Sequence, residues 1–361
     1  LIRAIITAAE QNGLEPALMA PTGRAAKRLA ISSGRDADTI HKALEASVRE
    51  TGRTYFERNE ANPLEEDLII VDEASMLDIS LFYHLLCALK DGARLILVGD
   101  IDQLPPVGAG EPLKDLMSWG YVPIVRLKRI FRQEEGSGIV ENAALIRKGE
   151  MCVPDEAGEF RIIYAADDED AYRIVMDLCR ELNYGNEENK MLLQVLSPMY
   201  RGVCGVDHLN ESLQEMIHGE KVPDGMKFFP GDKVMQTRND YEKGIYNGDV
   251  GTVWTATPQK VFVRYFDKEV VYEGEERFDL RLAYAVTVHK SQGSEYETVI
   301  FILRPSQHNM LQRNLLYTGV TRARKNTILV TAPDALRRAL AIQHTGNRYS
   351  LFLPFLNHEA L

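Results

Sequence analysis

The sequence predicts an α/β protein of two parallel-sheet domains, the second carrying a small all-β insert. Three observations lead there. Leu68-Ile69-Ile70-Val71 is an apolar run without alternation, which suits a strand buried on both faces, and it ends at once in Asp72-Glu73. Similar runs recur along the chain, separated by helical patterns. From Phe228 to Asp279 the texture changes to short alternating runs of valines and aromatics with glycines, the pattern of an all-β unit.

The 361 residues suit two domains and an insert. No apolar run approaches the roughly 20 residues of a membrane span, and no signal peptide is visible. Cys87, Cys152, Cys179 and Cys204 stand far apart without zinc-ligand or redox spacing, as reduced core residues of a cytoplasmic protein would. A net charge of −11 argues against non-specific coating of nucleic acid, while leaving room for a local basic channel.

Taken in order, Leu1 to Gln11 reads as a helix already under way, so the sequence looks like a piece of a longer protein. Ala17 to Ala20 is a short buried strand. Pro21-Thr22-Gly23-Arg24 follows as a loop whose hydroxyl, open backbone and nearby bases suit phosphate contacts, or equally a plain turn. Thr39 is placed to cap a helix that holds His41. Arg49 to Asn62 is polar and reads as a small hairpin. Asp72-Glu73 admits two readings, a Walker B pair that holds Mg²⁺ and activates water, or acidic residues near a helix N-terminus. Arg94 to Gly99 is a further strand, leading into Asp100 and then Gln103-Leu104-Pro105-Pro106-Val107. There the glutamine either senses a γ-phosphate or sits in a surface turn. Val125 to Gln133 is a basic run. In the second half, strands are expected at Phe160–Tyr164, Leu192–Leu196, Ala283–Val288, Thr298–Leu303 and Thr327–Thr331. Helices are expected at Asp168–Asn183 and Val206–Ile217. Asn247-Gly248-Asp249 is a hairpin-turn signal within the insert.

Six of these stretches form a series. Ala20 to Ala26 resembles helicase motif Ia, Val71 to Ser75 motif II, Gly99 to Pro105 motif III, Ile130 to Gln133 motif IV, Val286 to Glu295 motif V and Tyr317 to Arg324 motif VI. All stand in the order of superfamily-one helicases. Val195 to Met199, with Gly202, Gly205 and Asn210, is similar to the RecD-like 5′→3′ branch in particular, the family of the exodeoxyribonuclease V alpha chain.

The resemblance implies two RecA-like (P-loop NTPase) domains, at 1–133 and at 134–226 with 281–361. It further implies a pin-like insert near 45–66 and a β-barrel insert at 227–280. It implies ATP and Mg²⁺ as cofactors, and single-stranded DNA and duplex junctions as partners, with no membrane partner. Asp72 would bind Mg²⁺, Glu73 would activate water and Gln103 would read the γ-phosphate. Arg132 and Arg322 would act as arginine fingers, while Gly293 and Glu295 would line the nucleotide site, Glu295 at the ribose. Pro21, Thr22, Gly23, Arg24, His41, Pro105, Val107, His289 and Lys290 would contact DNA. The family's Gly-Lys-Thr/Ser loop does not occur in these 361 residues. The sequence therefore reads as truncated just after that motif, and little ATPase activity is expected of this chain alone. A non-catalytic role, as an assembly subunit among the nuclease-helicase subunits of an exonuclease V-type complex, is the second implication. A superfamily-one RNA helicase fits less well with Ser197 to Asn210.

Overall fold

The computed structural model describes residues 1–48, 54–127, 137–223, 225–240, 242–266, 268–343 and 352–357. The chain forms two compact units, Leu1–Arg126 and Leu127–Thr345, and the closing helix belongs to the first. Arg132 and the rest of motif IV lie outside the described residues, as does the tip of the expected pin at 49–53.

The first unit runs α1 (Ile2–Gln11), β1 (Pro16–Ala20), α2 (Gly23–Ser33), β2 (Asp38–Thr39), α3 (Ile40–Ala43), β3 (Ala46–Val48), β4 (Thr54–Phe56), β5 (Leu68–Val71), α4 (Ile79–Cys87), β6 (Arg94–Leu97) and α5 (Pro112–Trp119). Its parallel sheet has the order β2-β1-β5-β6. The unbroken apolar run of β5 serves two cores at once. Leu68 and Ile70 pack with Ile6 and Leu29 on one face, and Ile69 and Val71 pack with Phe82 and Leu85 on the other. β3 and β4 form a separate antiparallel pair at the place expected for the pin.

The second unit continues with α6 (Gly138–Lys148), β7 (Phe160–Tyr164), α7 (Asp168–Glu181), α8 (Glu187–Leu192), β8 (Leu193–Ser197) and α9 (Val206–His218). The insert follows as β9 (Lys233–Gln236), β10 (Val250–Ala256), β11 (Lys260–Arg264), β12 (Glu269–Glu273) and β13 (Leu280–Leu282). The chain then returns through β14 (Ala285–Thr287), β15 (Tyr296–Leu303), α10 (Arg313–Val320), β16 (Ala323–Thr331) and α11 (Pro333–Ala341). The parallel sheet has the order β14-β8-β15-β16-β7. The insert is an antiparallel sheet of order β12-β11-β10-β9-β13 around Val234, Val253, Val263 and Tyr272. Residues β12 and β13 stand at the two ends of its hydrogen-bonded order.

One domain assignment changes. The closing helix α12 (Phe352–Leu356) packs with the first unit, its Phe352 ring 5.8 Å from Phe82, whereas the sequence reading placed 281–361 wholly in the second. Phe-Leu-Pro-Phe-Leu is apolar enough to be buried but carries no pattern that selects a core.

Candidate nucleotide and nucleic-acid sites

In the first unit the strand order reverses between β1 and β5, because the chain leaves β1 toward β2 and later leaves β5 toward β6. Ligands of open α/β sheets bind at the carboxyl ends of strands flanking such a point. Pro21-Thr22-Gly23 leaves β1 there, and Asp72-Glu73 leaves β5 there. The two turns are neighbours, since the Asp72 N–H donates to Met19 O at 2.9 Å.

The acidic turn is tightly made. Asp72 Oδ1 accepts the Glu73 N–H at 2.9 Å. Glu73 adopts φ 52°, ψ 36°, a left-handed conformation that costs a non-glycine residue about 1–3 kcal/mol and is commonest where function demands it. The following Ala74 N–H donates to Val98 O at 2.8 Å, pinning the turn to the exit of β6. Gly99 makes this approach possible: a Cβ there would lie 2.8 Å from Ser75 N and from Leu113 Cδ2.

The Gln103 loop closes on the same turn. Asp100 Oδ1 accepts the Asp102 N–H at 3.0 Å, and Asp100 O accepts the Gln103 N–H at 3.3 Å. Gln103 and Pro105 line one small cavity with Ser75, Glu111 and Pro106. The structure thus brings Gln103 to the residue two places beyond Glu73. Val107, at the tip of the Pro-Pro loop, is 91% exposed.

Asp72 is half-buried, and no cation pairs with it among the described residues. No group of three or more His, Cys, Asp or Glu among those residues is placed to hold a metal ion by itself. A single carboxylate of this kind suits Mg²⁺ that arrives on nucleotide phosphates, which supply most of its ligands.

The expected DNA residues of this unit are placed as follows. Thr22 caps α2, its Oγ1 accepting the Ala25 N–H at 3.2 Å. Gly23 is buried, and Pro21 and Arg24 are half-buried. His41 stands at the foot of the β3–β4 hairpin, its ring 5.9 Å from Phe56, which in turn lies 4.5 Å from His84. Burial lowers the His41 pKa, and the Asp78 carboxylate opposes that shift.

In the second unit, motif V leaves the end of β14. Thr287 Oγ1 accepts the Lys290 N–H at 3.2 Å, and Ser291 begins a buried stretch through Ser294. Gly293 supplies φ 73° within it. Burial lowers the pKa of His289. Burial also lowers that of Lys290, helped by the Arg281 charge. β14 itself is held by the attachment of the insert. Buried Asp232 accepts hydrogen bonds from Tyr284 Oη at 2.9 Å, His218 Nε2 at 2.9 Å and the Phe229 N–H at 2.7 Å, and from Gln214.

Two residues given roles by the resemblance are paired within the second unit. Arg322 is 1% exposed, donating to Thr318 O at 3.1 Å and Ser294 O at 3.2 Å within its own unit. These bonds tie motif VI to motif V. Glu295 is paired: Arg324 Nη2 lies 2.7 Å and Nε 2.8 Å from its Oε2.

Sequence reasoning missed a groove in the second unit. It has a volume of about 1050 Å³ and is lined by Tyr200, Arg201, Arg238, Phe278, Arg281 and Lys290, with carboxylates among them. Arg238 faces Asp279 at 3.4 Å and Arg281 faces Asp207 at 3.9 Å, both arginines well exposed. Cations and aromatics come together here from the loop between β8 and α9, the insert and motif V. Of its lining, the sequence reading named Lys290 as a DNA contact and noted Tyr200-Arg201 directly after Ser197-Pro198-Met199, without joining the two.

Comparisons with known proteins place these features. Residues 1–161 match a family model described as AAA domain, residues 209–265 one described as ATP-dependent RecD-like DNA helicase SH3 domain, and residues 282–330 one described as UvrD-like helicase C-terminal domain. The SH3 match overlaps the β-insert. An ATP-dependent RecD2 DNA helicase of Deinococcus radiodurans is 38% identical over 353 residues, covering 97% of this chain and 47% of that protein. RecBCD enzyme subunits RecD of Mycolicibacterium smegmatis and Mycobacterium tuberculosis are 32% and 31% identical, covering 93% and 90% of this chain and 66% and 62% of theirs. The chain thus spans about half the length of the first relative and under two thirds of the others. Among solved structures, Bacteroides Pif1 bound to ssDNA superposes with a TM-score of 0.55 at 20% identity, over 91% of this chain and 84% of that one. Candida albicans Pif1 helicase superposes with a TM-score of 0.53 at 18% identity, over 95% and 90%. These likenesses concern the fold. No helix among the described residues is long and apolar enough to cross a membrane.

Proposed function

Because the chain belongs to the RecD-like family of DNA helicases, we propose that it is the motor core of an ATP-dependent 5′→3′ DNA helicase that moves on single-stranded DNA and unwinds duplex. The observation that carries this reading is the acidic turn at the end of β5. Asp72 and a left-handed Glu73 sit beside the Thr22 loop, and Gln103 is brought against the same turn. Asp72 is the residue that would hold Mg²⁺, which neutralises phosphate charge when bound. Glu73 is proposed to orient and deprotonate the attacking water, and Gln103 to register the terminal phosphate. The second unit contributes basic side chains at Lys290, Arg201, Arg238 and Arg281, with Tyr200 and Phe278 as stacking surfaces, a combination that binds single strands without reading sequence. Arg322 is proposed to link motifs V and VI, and Arg132 to supply the guanidinium that reaches phosphate.

The test is phosphate release with and without single-stranded DNA. The chain contains no Gly-Lys-Thr/Ser loop, so little turnover is expected from it as it stands. With that loop supplied ahead of α1, DNA-stimulated turnover is expected, and Glu73→Gln should lower kcat by at least about 100-fold with KM little changed. Turnover of the unaltered chain equal to that of the extended one would overturn the account. A second reading rests on the relatives named as RecBCD subunits: the chain works inside a nuclease complex. Co-purification with nuclease subunits from its own cells would favour it.

A further inference from the structure

Lys290 is held from the insert. Its Nζ donates to Asn247 Oδ1 at 2.8 Å, although 43 residues separate them. Asn247 stands in a stiff turn between β9 and β10. Its own N–H donates to Asn239 Oδ1 at 2.9 Å, and the Gly248 N–H donates to Gln236 O at 2.8 Å with φ 99° at the glycine. Buried Asp249 accepts the Tyr246 N–H at 3.0 Å through Oδ2. The carboxamide is therefore offered from a fixed point.

The chemistry of the acceptor is informative. Lys290 is half-buried beside Arg281, and no carboxylate pairs with it among the described residues, although Arg281 and Arg238 in the same groove each face one. A neutral amide orders a lysine without cancelling its charge. An aspartate at the same point would order it more firmly and cancel it.

We propose that Asn247 is a positioning residue: the insert uses it to hold the Lys290 ammonium in the groove, charged and unneutralised, for a phosphodiester oxygen of single-stranded DNA. This rests on the reading of the groove as a DNA site. It gives the insert a role in setting a motif V side chain, in addition to walling the groove.

The experiment measures binding of a labelled oligothymidylate by anisotropy across a salt titration, with no nucleotide. Lys290→Ala is expected to weaken binding about threefold to tenfold and to reduce the salt slope by about 0.7, one phosphate contact on a single strand. Asn247→Ala should weaken binding less and leave the slope unchanged, because the cation remains but is no longer placed. Asn247→Asp should weaken binding as much as Lys290→Ala and reduce the slope likewise, while the melting temperature holds or rises. On a Lys290→Ala background both Asn247 changes should have no further effect. Asn247 is exposed, so these variants should fold. If Lys290→Ala weakens binding and Asn247 variants do not, the positioning role is overturned and the DNA site stands. If Asn247→Asp costs as much without Lys290 as with it, plain repulsion accounts for it and the positioning role is again overturned. If Lys290→Ala has no effect, the DNA reading of this groove fails, and the proposal with it.

Discussion

The two parallel sheets end differently, and the difference concerns one side chain. In the second unit the edge strand β14 is wholly buried, and its outer backbone is satisfied by α9. Asn210 Nδ2 donates to Ala285 O at 2.9 Å, and Asn210 Oδ1 accepts the Ala285 N–H at 2.9 Å. A carboxamide there does the work of a neighbouring strand. In the first unit β6 pairs on one side with β5, and Leu95, Ile96 and Leu97 are only half-buried despite an apolar run much like that of β5. Motif V is thus carried by a strand whose outer backbone is satisfied by α9, and the Gln103 loop by a strand paired with β5.

Removing the seal gives the largest expected effect. Asn210→Ala would leave a buried N–H and a buried carbonyl unpaired, costing about 2–4 kcal/mol. Urea unfolding followed by hydrogen exchange should show that loss in the second unit, with β14 amides exchanging as fast as those of β6. A loss under about 0.5 kcal/mol would mean that Asn210 is not what closes the edge.

The next two changes act in the first unit, beside the end of β6. Gly99→Ala drives a methyl against Ser75 N, which is backbone and cannot swing away, so a loss of about 1–3 kcal/mol is expected in the first unit. Glu73→Gly should act in the opposite sense. It relieves a left-handed glutamate and is expected to raise stability by up to about 1 kcal/mol while removing the proposed base. Melting of the two variants separates these signs. Equal losses would show that the Glu73 conformation carries no strain.

What could be read in advance follows from the range of the forces involved. The β5 strand was legible because burial on both faces demands a run without alternation. The Thr39 cap was legible because Oγ1 reaches a backbone N–H three residues away, at 3.1 Å here. The Asn247-Gly248 turn was legible because only glycine takes φ 99° cheaply. The acid pair and Gln103 were singled out one motif at a time, yet the close approach of the β6 exit to the Ala74-Ser75 turn depends on Gly99, whose need for a missing Cβ is invisible in a strand-end glycine. The pairings that the sequence did not reveal join residues far apart in the chain. Arg322 lies 28 residues from Ser294, Arg324 lies 29 from Glu295, and Asn210 lies 75 from Ala285. An arginine's motif position says that it is charged and wanted. Only the packing says whether it is presented or consumed.

The smallest expected effect again contrasts the units, through two histidines. His41 and His289 are both desolvated, so the folded protein resists protonating them below the ordinary imidazole value of 6.5. The unfolded chain takes up protons there and the folded chain does not. Each therefore contributes stability that is complete above pH 6.5 and is lost as pH falls from that value through the lowered folded pKa. Asp78 favours the charged form of His41, whereas burial alone acts on His289. Between pH 7.5 and 5 the second unit should consequently lose more from its histidine than the first. His289→Gln should flatten the pH dependence of urea unfolding in the second unit, and His41→Gln should change that of the first by less. Asp78→Asn should deepen the dependence in the first unit, because the carboxylate that opposes the effect of burial on His41 is then gone. If His41→Gln flattened the profile more than His289→Gln did, desolvation would be the wrong cause to assign at His289, and the electrostatic contrast between the two histidine sites would have to be reversed.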